Sequence, residues 1–223
     1  IMLTGSSNGH TAPLTTLLAL YTHTDSATLE QAVLEAYSKE QLLSLALEDA
    51  DFETRKAATY ALSLVGDLSY AEPLAAALHT DLPGVHQTVE QALWCLWFKS
   101  GRVDVDALMQ EGVRLLESQR FDDANVLFDR VIALAPDFAE GYNQRAVVSY
   151  LQEDWTRAIQ DCQTAFSLNP VHFGALAGMG HCYLQCQELQ AALTAYEKAL
   201  AVNPHMPAIR SNIDRIRKFM DEA

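Results

Sequence analysis

Three prolines, Pro136, Pro170 and Pro204, stand 34 residues apart, and side-chain size repeats with them. Twenty-eight residues before each proline lie Leu108, Tyr142 and Leu176; twenty-four before, Gly112, Ala146 and Gly180; twenty-one before, Leu115, Ser149 and Tyr183. Large, small, large at spacings of four and three marks one face of a helix. A second set follows, with Ala124, Ala158 and Ala192 twelve before the prolines, Phe128, Cys162 and Tyr196 eight before, and Val131, Ala165 and Ala199 five before. Small residues let two helices cross closely, large ones fill the space beside the crossing, and proline ends the second helix because it cannot donate the next backbone bond. A fixed period of this length confines the chain to a stack of like units, since each unit buries its apolar face only against its neighbours.

With six columns in register, residues 105–204 resemble three tetratricopeptide repeats, approximately 105–138, 139–172 and 173–206. His205 to Ala223 follows as a capping helix, with Ile209, Ile213, Ile216 and Met220 on one stripe and Arg210, Asp214, Arg217, Lys218 and Asp221 opposite. The resemblance implies a right-handed α-α superhelix whose inner helices line a concave groove for an extended or helical peptide. It nominates Met109 and Val113 from the first repeat, Asn143, Gln144, Val147 and Tyr150 from the second, and Ala177 and His181 from the third. Leu116 and Leu184 share the wall and serve equally as packing positions, while the small Gly174, Ala177 and Gly178 are expected to leave a recess. One subclass of the family clamps the carboxylate terminus of heat-shock chaperones with Lys, Asn, Asn, Lys and Arg. Those positions hold Met109, Val113, Gln144, Gly174 and Gly178 here, so no chaperone carboxylate-clamp ligand is expected. Selection then falls to apolar fit and a few amide bonds from Asn143 and Gln144.

Upstream the proline period fails and a 31-residue one replaces it. Leu47 maps to Leu78, Ala58 to Val89, Ala61 to Ala92, Leu62 to Leu93 and Val65 to Leu96, with helices from Asp51 and from Asp81. Residues 12–99 thus resemble HEAT repeats, in a register similar to the short repeats of phycobilisome lyase relatives. Arg55 maps onto His86, a departure that weakens the ladder of Arg–carboxylate bonds the resemblance implies. Pro13 to Thr22 and Ser26 to Tyr37 read as a degenerate first repeat, and Ser38–Gln41 as a capping box. The link from Lys99 to Asp104 is too short to be free, so the two arrays are expected to stack as one curved solenoid. Trp94, Trp97 and Phe98 precede it, either burying the seam or exposing an aromatic patch. Residues 1–11 read as a flexible leader.

Composition narrows the function. The net charge is -14, with 5 basic against 13 acidic residues before Val105 and 10 against 16 from there on. Binding to phosphate backbones or anionic lipid rests on Lys and Arg, so neither nucleic acid nor membrane is the expected partner. No apolar run approaches the roughly 20 residues of a spanning helix. Gly180 to Cys186 gathers His181, Cys182 and Cys186, but it sits in the third inner helix with His181 turned about 100° from Cys182. A closed zinc site wants four convergent ligands, so no metal or cofactor is expected there, and the four cysteines read as core residues of a reducing, cytoplasmic compartment. No phosphate loop, metalloprotease or nucleophile-elbow motif is present. Asp122, Asp123, Glu153 and Asp154 begin outer helices, where the dipole favours acid. The sequence therefore reads as an all-α, non-enzymatic adaptor for a protein or peptide partner. The alternative is a chaperone-like or lyase-related factor acting on a pigment protein through the HEAT-like face.

Overall fold

The computed structural model describes residues 13–49, 51–80 and 84–222, and every regular element within them is helical. The expected leader lies outside the described residues, as does Asp81. An N-terminal block comprises α1 (Leu14–Leu20), α2 (Ser26–Ala36), α3 (Lys39–Glu48), α4 (Phe52–Val65), α5 (Ala71–Ala76) and α6 (Val85–Trp97), with short 3-10 turns at Leu68–Tyr70 and Ala77–His79. Side chains set the helix starts. Asp25 and Asp51 accept from the backbone N–H groups of Thr28 and Thr54, and Ser38 and Gln41 bond reciprocally as the expected capping box. The paired columns Ala58 with Val89, Ala61 with Ala92, and Leu62 with Leu93 are all buried in one core.

At the end of α3 the free carbonyls need donors. Arg55 supplies them from α4, Nε to Ala46 O at 3.1 Å and Nη2 to Leu47 O at 2.7 Å. It caps its own hairpin instead of joining a ladder of carboxylates, a correction to what the HEAT resemblance implied.

The C-terminal half is three hairpins, α7 (Val103–Glu117) with α8 (Phe121–Leu134), α9 (Ala139–Leu151) with α10 (Trp155–Leu168), and α11 (Phe173–Gln185) with α12 (Leu189–Val202), followed by α13 (Pro207–Glu222). Each hairpin turns the same way. Gln119, Glu153 and Gln187 take φ of 59°, 63° and 60°, and the next N–H, of Arg120, Asp154 and Glu188, reaches back 2.9 Å to the carbonyl five residues earlier. Arg145 on α9 grips Asp161 on α10 of its own hairpin with two bonds of 2.8 and 2.7 Å and reaches across to Asp129 on α8 at 2.7 Å. On α13 the buried stripe ends at Ile216; Met220, expected on it, is 42% exposed.

The junction differs from a plain end-to-end stack. Lys99, just after α6, caps α4 through Ser63 O and Leu64 O at 2.8 and 2.6 Å. Phe98, which follows α6, packs against the core of the first hairpin, but Trp97 and His86 on α6 meet turns of the third. Trp97 stacks on His172 in the α10–α11 turn, with ring centroids 4.2 Å apart and planes 18° apart, and lies 4.9 Å from Phe173. His86 stacks on His205 in the α12–α13 turn at 3.8 Å, and His205 Nε2 donates to Leu78 O at 2.8 Å. The block thus lies along the turns that follow Pro170 and Pro204, because those turns present flat rings and open polar groups that α6 matches.

Candidate binding groove

Four of the nominated groove residues, Asn143, Val147, Tyr150 and His181, come together around one recess of about 160 Å³ between α9 and α11. Its floor is Ala146, Cys162 and Cys182, and Gly174 and Gly178 form the far wall. Val147 is 38% exposed on the rim. The other nominees lie elsewhere. Met109 is 1% exposed, buried with Val105, Phe128 and Val148, so the groove assignment for it is corrected: this long, flexible chain fills the core of the first hairpin. Val113 is half-buried against that same core. Ala177 is buried among Leu176, Ala192 and Tyr196. The aromatic patch is corrected too, since Trp97 is 1% exposed and Trp94 and Phe98 are half-buried; these rings fill the seam.

Beneath the recess lies a network that repeat columns did not reveal. Glu140 and His172 are both fully buried side chains and meet at 2.8 Å. Ala175 N–H donates to His172 Nδ1 at 3.1 Å, so the proton sits on Nε2 and is given to Glu140 Oε2. Glu140 Oε1 accepts from Asn143 Nδ2 at 3.0 Å and Gln144 Nε2 at 2.7 Å. Three donors hold the buried carboxylate, which otherwise carries a heavy desolvation cost. The amide nitrogens of Asn143 and Gln144, nominated for a partner's backbone, are thereby committed inside the protein. The two acid–base residues are 32 apart, off the period, and no sequence column could flag them.

The chemistry of the recess is quiet. Burial pushes the Cys162 thiol up, helped by the neighbouring Cys182, and burial pushes Cys182 up to about 12. Neither is a thiolate nucleophile at neutral pH. Cys186 is exposed, one turn from Cys182. Burial pushes His181 down, and its Nδ1 lies 2.7 Å from the Tyr196 hydroxyl, whose phenol burial raises to about 12. Among the described residues no three His, Cys, Asp or Glu side chains converge on a metal position, and no helix is long and apolar enough to cross a membrane.

Trp94 explains a glycine on the rim. A Cβ at Gly174 would lie 2.5 Å from the Trp94 ring, so the N-terminal block packs on α11 at this point and leaves no room for a side chain there.

A family model described as anaphase-promoting complex, cyclosome, subunit 3 matches residues 117–199. A TPR repeat-containing protein of Rhizobium etli is 32% identical over 108 residues, covering 48% of this chain and 53% of that protein; the chain therefore spans about half the length of that relative. Among solved structures, the Sgt2 TPR domain from Aspergillus fumigatus superposes with a TM-score of 0.52 at 19% identity, covering 54% of this chain and 82% of that one. The first TPR of Spaghetti (RPAP3) bound to an HSP90 peptide superposes with a TM-score of 0.51 at 20% identity, covering 52% and 93%. With the same turn closing three hairpins and six size columns in step, the chain shares the helical-hairpin fold of these TPR domains.

Proposed function

We propose that this chain is a non-enzymatic adaptor that holds a segment of a partner protein along α7, α9 and α11, with the α9–α11 recess as the centre of contact. The observation that carries the reading is the convergence of Asn143, Val147, Tyr150 and His181 on one apolar hollow with few polar groups at its edge, the usual make-up of a recognition site. A related fold with an HSP90 peptide in place supports a peptide as the kind of ligand. The ligand's chemistry differs from a carboxylate terminus. Met109, Val113, Gln144, Gly174 and Gly178 stand at the five clamp positions, and Trp94 occupies the space that a lysine at 174 would need.

The test is paired. Val147→Glu with His181→Glu sets two carboxylates where an apolar ligand must be desolvated, while both side chains are at least partly exposed. Affinity for a partner captured by the wild type and identified by mass spectrometry is expected to fall at least about 30-fold, with helicity retained. Undiminished binding by the folded double variant overturns the groove assignment.

A further inference from the structure

The recess exists because the middle hairpin breaks a rule its neighbours keep. At the close crossing the first hairpin opposes Gly112 to Phe128, and the third opposes Gly180 to Tyr196. A Cβ on those glycines would lie 2.6 and 2.5 Å from the facing rings, so glycine and ring fill the crossing together. The middle hairpin has Ala146 and Cys162 instead. One methyl and a thiol do not replace a ring, and the missing volume is the cavity of about 160 Å³ that Cys162 floors. An apolar cavity of about 150 Å³ in a protein core takes up benzene, so the vacant space matches a phenyl group.

Two polar atoms remain at its mouth. Asn143 spends its amide nitrogen on Glu140, which leaves Oδ1 as an acceptor. The Tyr196 hydroxyl lies 2.7 Å from His181 Nδ1; with the phenol donating there, the His181 proton stays on Nε2. No Lys, Arg, Asp or Glu lines the recess. A second copy of this chain, carrying the same net charge of -14, is repelled on approach.

We propose that the recess takes one aromatic side chain of an extended, locally uncharged stretch of the partner, whose backbone N–H and C=O are read by Asn143 Oδ1 and His181 Nε2–H. This rests on the groove reading above and names its anchor. Selectivity then comes from volume: a ring fills the vacant space and meets apolar walls, whereas a charged side chain would be desolvated without a partner.

The probes are N-acetylphenylalanine methylamide and its glycine and glutamate analogues, titrated into isotope-labelled protein and followed at the Val147 methyls and the His181 ring. The phenylalanine probe is expected to give saturable shifts and the other two none. Ala146→Gly with Cys162→Phe rebuilds the neighbours' pairing and fills the hollow; a loss of at least tenfold in probe affinity is expected, with the melting temperature kept or raised. Should that variant not fold, Gly178→Val narrows the space from α11, where a Cβ would already lie 3.2 Å from Cys162 Sγ. Equal shifts from the glycine probe, absence of saturable shifts, or undiminished binding by a folded filled variant would overturn the proposal. A displayed random-peptide library separates the two readings. Binders lost by Val147→Glu/His181→Glu but kept by the filled variant sink the anchor and leave the groove, whereas binders indifferent to both sink the groove.

Discussion

The two halves of the molecule solve the same problem, closing a helical hairpin, in opposite ways. From α7 to α12 one solution is used three times: a residue at φ near +60° and an N–H reaching back five residues at 2.9 Å. In the N-terminal block each hairpin finds its own donors. Arg55 caps the Leu47 carbonyl from eight residues away. The matching carbonyl, Leu78 O, belongs to the hairpin with His86 in the place of Arg55, and it receives its bond from His205, 127 residues away and stacked on His86. Replacing arginine by histidine in the second hairpin leaves a vacancy that the repeat array fills. The block and the array are joined through that exchange and through Trp97 on His172. Regular repeats are closed by local geometry; the irregular block is closed partly by its neighbour.

The sharpest way to break this arrangement is Trp97→Ala. The ring is 1% exposed, and its loss is expected to cost about 3–5 kcal/mol, read by chemical denaturation. Damage should reach both halves, since the ring packs against each; a variant melting within a degree or two of wild type would show that the halves do not depend on this contact. Next, Arg55→Ala strands two carbonyls at the end of α3 and is expected to cost about 2 kcal/mol. His205→Ala strands one, for about 1 kcal/mol. Native-state hydrogen exchange should separate them. Arg55→Ala loosens α3 and α4, whereas His205→Ala loosens α6 together with the α12–α13 turn. If His86→Arg makes His205→Ala silent in a double-mutant cycle, the exchange of donors is established; undiminished coupling would refute it.

Smaller effects probe the regular half. Gln119→Gly relieves a left-handed backbone that costs an L-residue roughly 1–2 kcal/mol, offset by the greater chain entropy of glycine, for a net gain of about 0.5 kcal/mol. The same change at Gln187 should give a like gain if the turns are equivalent. The smallest effect is a slope in pH. Burial holds the His181 pKa below its ordinary 6.5, so the unfolded chain binds the proton more readily than the folded one. The stability this contributes is present above pH 6.5 and is lost as pH falls through the lower folded value. His181→Gln should flatten that part of the stability–pH curve, and an unchanged slope would remove His181 as its source.

Much of the repeat half was legible because its rules are short-range. Size columns report helix crossings, and the Ser38–Gln41 box reports a helix start, each within a turn or two of the chain. Of the nominated residues, Asn143, Val147, Tyr150 and His181 line one recess, whereas Met109 occupies an equivalent row and is buried. A column gives the face of a helix and is silent on whether that face meets solvent or a neighbour. Glu140 and His172 left no trace in the pattern because their pairing is not repeated.

The amino-acid sequence alone determined the helices, their pairing into hairpins and the 34-residue step, because spacing, side-chain size and proline act over distances the chain itself spans. It also contained the cause of the recess, an Ala and a Cys where the flanking repeats have Gly and a ring. Only the tertiary structure decided that the N-terminal block lies along the α10–α11 and α12–α13 turns, that Trp94 packs on Gly174, and that the missing ring leaves an open hollow. The placement of the block and of Trp94 depends on contacts between residues from about 75 to 127 positions apart, which packing selects and no local rule encodes.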